Sequence, residues 1–210
     1  MVSLDQVFEF LALLPPHLLL GGLVGTASLI ALLAEWRLSL LALLSQYVLA
    51  GLLLARAVFP QVAAIRILIG GLVCSVLYLT ARYTSPQSEA FGFRALDLGR
   101  WTWDLFFRLF ALALVGVGVY GLHAGLPFPE VPRDLGLGAY WLAAMGLLIM
   151  ALAEGPFQMG LGLLTFESGF EALYATLESG LTVAGLMGIV NLLIALAVAY
   201  LAVGREGGIL

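Results

Sequence analysis

The stretch LTVAGLMGIVNLLIALAVAYL, Leu181 to Leu201, contains no charged residue. At a rise of 1.5 Å per residue, about 20 apolar residues in a helix cross the roughly 30 Å hydrocarbon layer of a bilayer, so this stretch alone is long enough to span one. It has no alternation of apolar and polar positions that would mark a strand. In lipid each backbone N–H and C=O must find its partner inside the protein, and a helix satisfies that within one segment.

The rest of the chain is built the same way. Of 210 residues, 62% are hydrophobic and 10% charged, with a mean hydropathy of +1.09, whereas a soluble domain is about 45–50% apolar and about 25% charged. Charge, proline and glycine mark off seven apolar runs: about Leu18–Ala34, Leu38–Val58, Val62–Thr80, Leu105–His123, Leu137–Ala153, Phe157–Leu177 and Leu181–Val203. The expectation is an all-α integral membrane protein, a single bundle of about seven transmembrane helices with no soluble domain. Leu4 to Leu14 is apolar but short and ends at Pro15-Pro16, which leaves open whether it begins the first span or lies on the membrane surface. The start, MVSLDQVFEF, has Asp5 and Glu9 but no basic residue, the wrong charge for a signal peptide, and no cleavage is expected.

The net charge is −4, and all nine cations are arginine, with no basic tail to bind nucleic acid. Four of them, Arg82, Arg94, Arg100 and Arg108, lie in or beside the segment 82–104 between the third and fourth runs. The positive-inside rule places that segment in the cytoplasm. With seven spans in a cell membrane the N-terminus is then outside and the C-terminus inside, with Arg37 and Arg205 agreeing and Arg56 and Arg133 opposing. Phe91, Phe93, Leu96, Trp101, Trp103 and Phe106 accompany the arginines, a mixture suited to a headgroup-level anchor. The four-residue spacings Gly21/Gly25 and Gly121/Gly125 imply close helix packing.

The single cysteine, Cys74, stands in an apolar run and reads as a packed small hydrophobe. His17 and His123 sit at the ends of different runs, a poor start for a metal or haem site. No GxSxG, HExxH or phosphate-binding motif is present, so neither a cofactor nor a catalytic function of its own is expected.

Two acids interrupt the sixth run and a third follows at its end, in LLTFESGFEALYATLESGL, Leu163 to Leu181. A carboxylate at the centre of a span costs about 2.5–3.5 kcal/mol on insertion scales, so Glu167 must be sheltered from lipid. At 100° per residue Glu171 lies about 40° and Glu178 about 20° around the helix from Glu167, which puts the three on one stripe. Glu167 and Glu171 are deep enough to share a proton, the chemistry of a relay, whereas Glu178 lies in the last turn, within reach of water. The alternative is a protonated Glu167 that only locks the helix to a neighbour. Gln46, Tyr47, Arg66, Thr165, Ser168, Thr182 and Asn191 could extend a polar path. Arg66, near the outer end of the third run, either snorkels to the headgroups, the slightly favoured reading, or pairs with an acid on another helix.

These residues resemble the hydrogenase-4 component E family, membrane subunits of complex I-like assemblies whose last spans are similar to the K subunit of complex I. FQMGLGLLTFESG, Phe157 to Gly169, is similar to the family's sixth span, with Glu167 at the place of its mid-membrane acid. EWRLSLLALLSQYVLAG, Glu35 to Gly51, resembles the second span, and IRILIGGLVCSVLYLTAR, Ile65 to Arg82, the third, where the family tends to carry lysine at the position of Arg66. The resemblance implies a subunit without cofactor, non-catalytic itself, in a membrane oxidoreductase complex, supplying one protonatable step and packing against antiporter-like subunits. The last span departs from the family by offering Thr182 and Asn191 in place of further acids. Two other readings stay open, an assembly scaffold that moves no proton and an independent small transporter, although the halves show no repeat of the kind such transporters carry.

Overall fold

A computed structural model describes residues 15–32, 35–56, 60–84, 98–125, 131–178 and 180–206. Their regular structure is seven α-helices: α1 (Pro16–Leu32), α2 (Trp36–Leu54), α3 (Pro60–Thr84), α4 (Leu98–Gly125), α5 (Arg133–Ala151), α6 (Pro156–Leu177) and α7 (Leu181–Glu206). Three of them, α1, α3 and α6, begin at proline, which gives up no hydrogen bond at a first turn because its missing N–H would have had no helical partner there. Hydroxyls inside the helices turn back on their own backbone. Ser28, Ser45, Ser75, Thr80 and Thr165 each donate to the carbonyl four residues earlier at 2.7–2.9 Å, so they need no water.

Five helices, α2, α3, α4, α5 and α7, are long and apolar enough to cross a bilayer. The chain is therefore an all-α membrane protein. α1 is shorter, at 17 residues. α6 has the length, at 22 residues, but its acids and Gln158 reduce its hydropathy.

α5 and α6 form the most intimate pair. Their backbones touch where side chains are absent: a Cβ at Gly169 would lie 2.6 Å from both the Ala139 carbonyl oxygen and the Ala143 nitrogen, and one at Gly146 would strike the Phe166 backbone. α7 packs on α3 and α6, α2 on α1, α3 and α6, and α1 on α5. Between them lies a core that includes Leu23, Leu43, Leu77, Leu142, Met145 and Leu164. α4 lies outside this group, against α5 and α1. Its Arg108 donates to the Ala31 carbonyl at 3.2 Å, serving one of the carbonyls left over at the end of α1. Most of its apolar side chains, among them Phe106, Phe107, Phe110, Leu114 and Val117, face outward.

The glycine spacings picked out in the sequence are not where the helices meet. A Cβ at Gly21, Gly25, Gly121 or Gly125 would have nothing within 4 Å, because those faces point away from the neighbouring helices. The helix limits also reach past the apolar runs. α3 continues through Arg82 to Thr84 and α4 starts at Leu98, so the segment 82–104 is partly helical at both ends. Leu4 to Leu14, together with Phe91, Phe93, Arg94, Leu96 and the side chains of Arg100, Trp101 and Trp103, lie outside the described residues.

Candidate functional site

The charged residues buried in the described bundle are Arg66, Glu167 and Glu171, at 2%, 8% and 6% exposure. They come from two helices. α6 is antiparallel to α5 and seated on it by the glycine contacts above, and it presents Glu167 near its middle with Glu171 one turn further on. α3 supplies Arg66 from its second turn. The guanidinium Nη2 donates to the Ser168 carbonyl at 2.7 Å and lies 3.7 Å from Glu171 Oε2. The short bond anchors the arginine to the α6 backbone. The longer separation makes an ion pair without a hydrogen bond. Arg66 therefore does not snorkel: its aliphatic stem runs inward from α3 to α6, where an acid can neutralise the charge.

Two other helices close the site. Tyr47 on α2 and Asn191 on α7 are each 1% exposed, and the Tyr47 hydroxyl donates to Asn191 Oδ1 at 2.9 Å. Both helices pack against α6, which carries Glu167 and Glu171. Among the described residues, neither Glu167 oxygen meets hydrogen-bond geometry with a partner, nor do the Ser168 hydroxyl, Arg66 Nε and Arg66 Nη1. The buried polar atoms of this group are therefore not all hydrogen-bonded among the described residues.

The charge count matters most. Two carboxyls and one guanidinium carry a net −1 when all are ionised, and a buried uncompensated charge is expensive. One proton on the pair of carboxyls makes the cluster neutral.

The remaining candidates separate from this cluster. Glu178 is not part of the acidic stripe, because α6 stops at Leu177; Glu178 follows it in extended conformation (φ −133°, ψ 96°) and is exposed. Gln46 is fully buried beside Tyr47 in the chain, but no hydrogen bond ties it to the cluster, and neither amide atom finds a partner among the described residues. Thr165 spends its hydroxyl on the Leu161 carbonyl, and Thr182 is exposed at the start of α7. His17 is exposed on α1, while His123 on α4 lies edge-on to Tyr140 with ring centroids 6.2 Å apart. The described residues hold no group of three His, Cys, Asp or Glu side chains placed to bind a metal ion. The pairing of Tyr47 with Asn191 joins residues 144 positions apart, and nothing local in the sequence marks it.

Comparison with known protein families, curated proteins and solved structures returned no match.

Proposed function

We propose that the chain is a cofactor-free membrane subunit of a complex I-like or hydrogenase-4-like ion-translocating redox complex, in which Glu167 and Glu171 form one protonatable step. The observation that carries this reading is the buried trio itself: two carboxyls on α6, one of them paired with a guanidinium that reaches in from α3. Intramembrane ionisable groups that are kept despite their cost mark ion and proton pathways by default. Arg66 offsets the charge of one carboxylate, Glu171, and in this reading Glu167 is the group that exchanges a proton. Supporting it is the likeness of FQMGLGLLTFESG to the sixth span of the hydrogenase-4 component E family.

In this reading α1 and α6 also cross. Seventeen residues lie at the short end of the range of about 17–25 for a span, and the acids of α6 face protein and not lipid. Seven spans in the cell membrane, with the arginine-bearing segment 82–104 in the cytoplasm, then leave the N-terminus outside and the C-terminus inside. Antiporter-like subunits are the expected partners, and the outward apolar surface of α4 is available to them or to lipid. The scaffold reading has its own support in the Arg66 bond to the Ser168 carbonyl, which ties α3 to α6 whether or not a proton moves.

The subunit reading is tested by solubilising membranes of the native host in mild detergent and isolating a tagged copy of the chain. Antiporter-like membrane proteins in stoichiometric amounts are expected. A chain recovered alone that drives ion flux in liposomes would overturn the subunit assignment in favour of the small transporter.

A further inference from the structure

We infer that Gln46 on α2 and Ser168 on α6 together bind a buried water molecule between the two helices, at the residue that follows Glu167 in the chain. The site stands on the packing of the two helices; its use in proton transfer rests on the role proposed for Glu167.

The register of α2 against α6 brings the two side chains together. Ser39 of α2 shares one small cleft with Gln158 and Leu161 of α6. Toward the other end of the same helices, Ala50 and Leu53 share another with Ala172. In both clefts the α6 residue stands 119 or 122 positions after its α2 neighbour, so the two helices run parallel and keep step over the stretch between. Positions 39, 46, 50 and 53 of α2 follow one another at spacings of seven, four and three, and positions 161, 165, 168 and 172 of α6 at four, three and four, so each set lies on one face of its helix. The same offset sets Gln46 opposite Thr165 and Ser168.

Gln46 and Ser168 are both at 0% exposure, and both have polar atoms to spare. Thr165 returns its hydroxyl to the Leu161 carbonyl at 2.8 Å. Ser168, one turn further along the same face, does not: its Oγ has no partner among the described residues, and neither has Nε2 or Oε1 of Gln46. Leaving an amide and a hydroxyl buried and unbonded is costly, and a buried water is typically held by about three polar groups. The hydroxyl and the two ends of the amide offer donors and acceptors alike, so one water can accept from the amide nitrogen and donate to the two oxygens. Leu43 and Leu164, both buried, stand one turn nearer the cleft at Ser39 and close the site on that side. Ser168 also lends its carbonyl to Arg66, so the water is held by the residue that anchors the cation. An amide does not gain or lose a proton near neutral pH, whereas a water passes one on; the water, and not Gln46, is the group able to serve Glu167.

The test is radiolytic hydroxyl-radical labelling of the full-length chain in lipid, in which an X-ray pulse splits bound water, the radical oxidises the side chains beside it, and mass spectrometry reads the products. Leu43, Tyr47 and Leu164 are buried from bulk solvent, so their oxidation reports a water held inside. Label is expected on at least one of them in the wild type, and several-fold less of it in both Gln46→Leu and Ser168→Ala, each of which removes one side of the site. Should Gln46→Leu fail to fold, Ser168→Ala decides, since it keeps the backbone carbonyl that receives Arg66. No label in the wild type, as a dry contact between the two side chains would give, overturns the water site, and so does a label unchanged in Ser168→Ala. Proton translocation by Glu167→Gln is a separate reading: at the wild-type rate it removes the role of Glu167 and leaves the labelling result standing.

Discussion

Arg66 on α3 and Glu171 on α6 lie 3.7 Å apart in the protein interior, while the same guanidinium nitrogen makes its short contact, 2.7 Å, to the Ser168 carbonyl. The backbone bond sets where the cation sits, and the carboxylate balances its charge. Because Glu167 is also buried, one helical turn from Glu171, removing the cation would leave two buried acids and no buried cation among the described residues.

Arg66→Leu is therefore expected to destabilise the purified protein by about 3–5 kcal/mol, the usual cost of stripping one partner from a buried pair. Adding Glu171→Leu should recover much of that loss, since exchanging both partners for apolar groups is often close to neutral. Thermal unfolding in detergent reads both. A single variant as stable as the wild type would show that the ion pair is incidental.

The seat of Tyr47 is testable at one methyl group. Gly70→Ala forces a Cβ into the Tyr47 ring and should cost about 1–3 kcal/mol, as overpacking does. Gly71→Ala, next to it, meets nothing within 4 Å and should be neutral or stabilising by up to about 1 kcal/mol, because alanine favours the helix. Equal melting temperatures for the two variants would refute the contact.

Glu178 provides the control for the acidic positions. Being exposed beyond the end of α6, it should tolerate Glu178→Gln with a change within about 0.5 kcal/mol and with ion translocation intact. A translocation defect from this variant would place a functional acid outside the buried cluster.

Much of this architecture can be read from hydropathy. Each of the seven apolar runs corresponds to a helix, and Glu167 and Glu171 are both buried on one side of α6 as their spacing requires. The differences have physical causes. Hydropathy marks where apolar composition ends, not where helical hydrogen bonding ends, so α3 runs on through Arg82, Tyr83 and Thr84. The stripe arithmetic assumed a helix continuing through Glu178, but α6 ends one residue earlier. Glycine spacing reports which residues share a face without saying whether another helix covers it, and Gly21 and Gly25 share an open one. Depth along a span made Arg66 a candidate for snorkelling; only folding shows that an acid and a backbone carbonyl wait for it inside. The Tyr47–Asn191 bond likewise follows from tertiary structure, since neither residue's sequence neighbours point to the other.

For the proposed proton-transfer role of Glu167, the most direct measurement is proton translocation in membrane vesicles carrying the proposed complex, comparing wild type, Glu167→Gln and Glu167→Leu at matched complex content. Glutamine keeps the size and hydrogen-bonding capacity of the side chain but cannot titrate, so translocation should be lost in Glu167→Gln while assembly proceeds normally. Wild-type translocation by Glu167→Gln, with only Glu167→Leu lowering the yield of complex, would contradict that role and leave the buried acids as a structural lock.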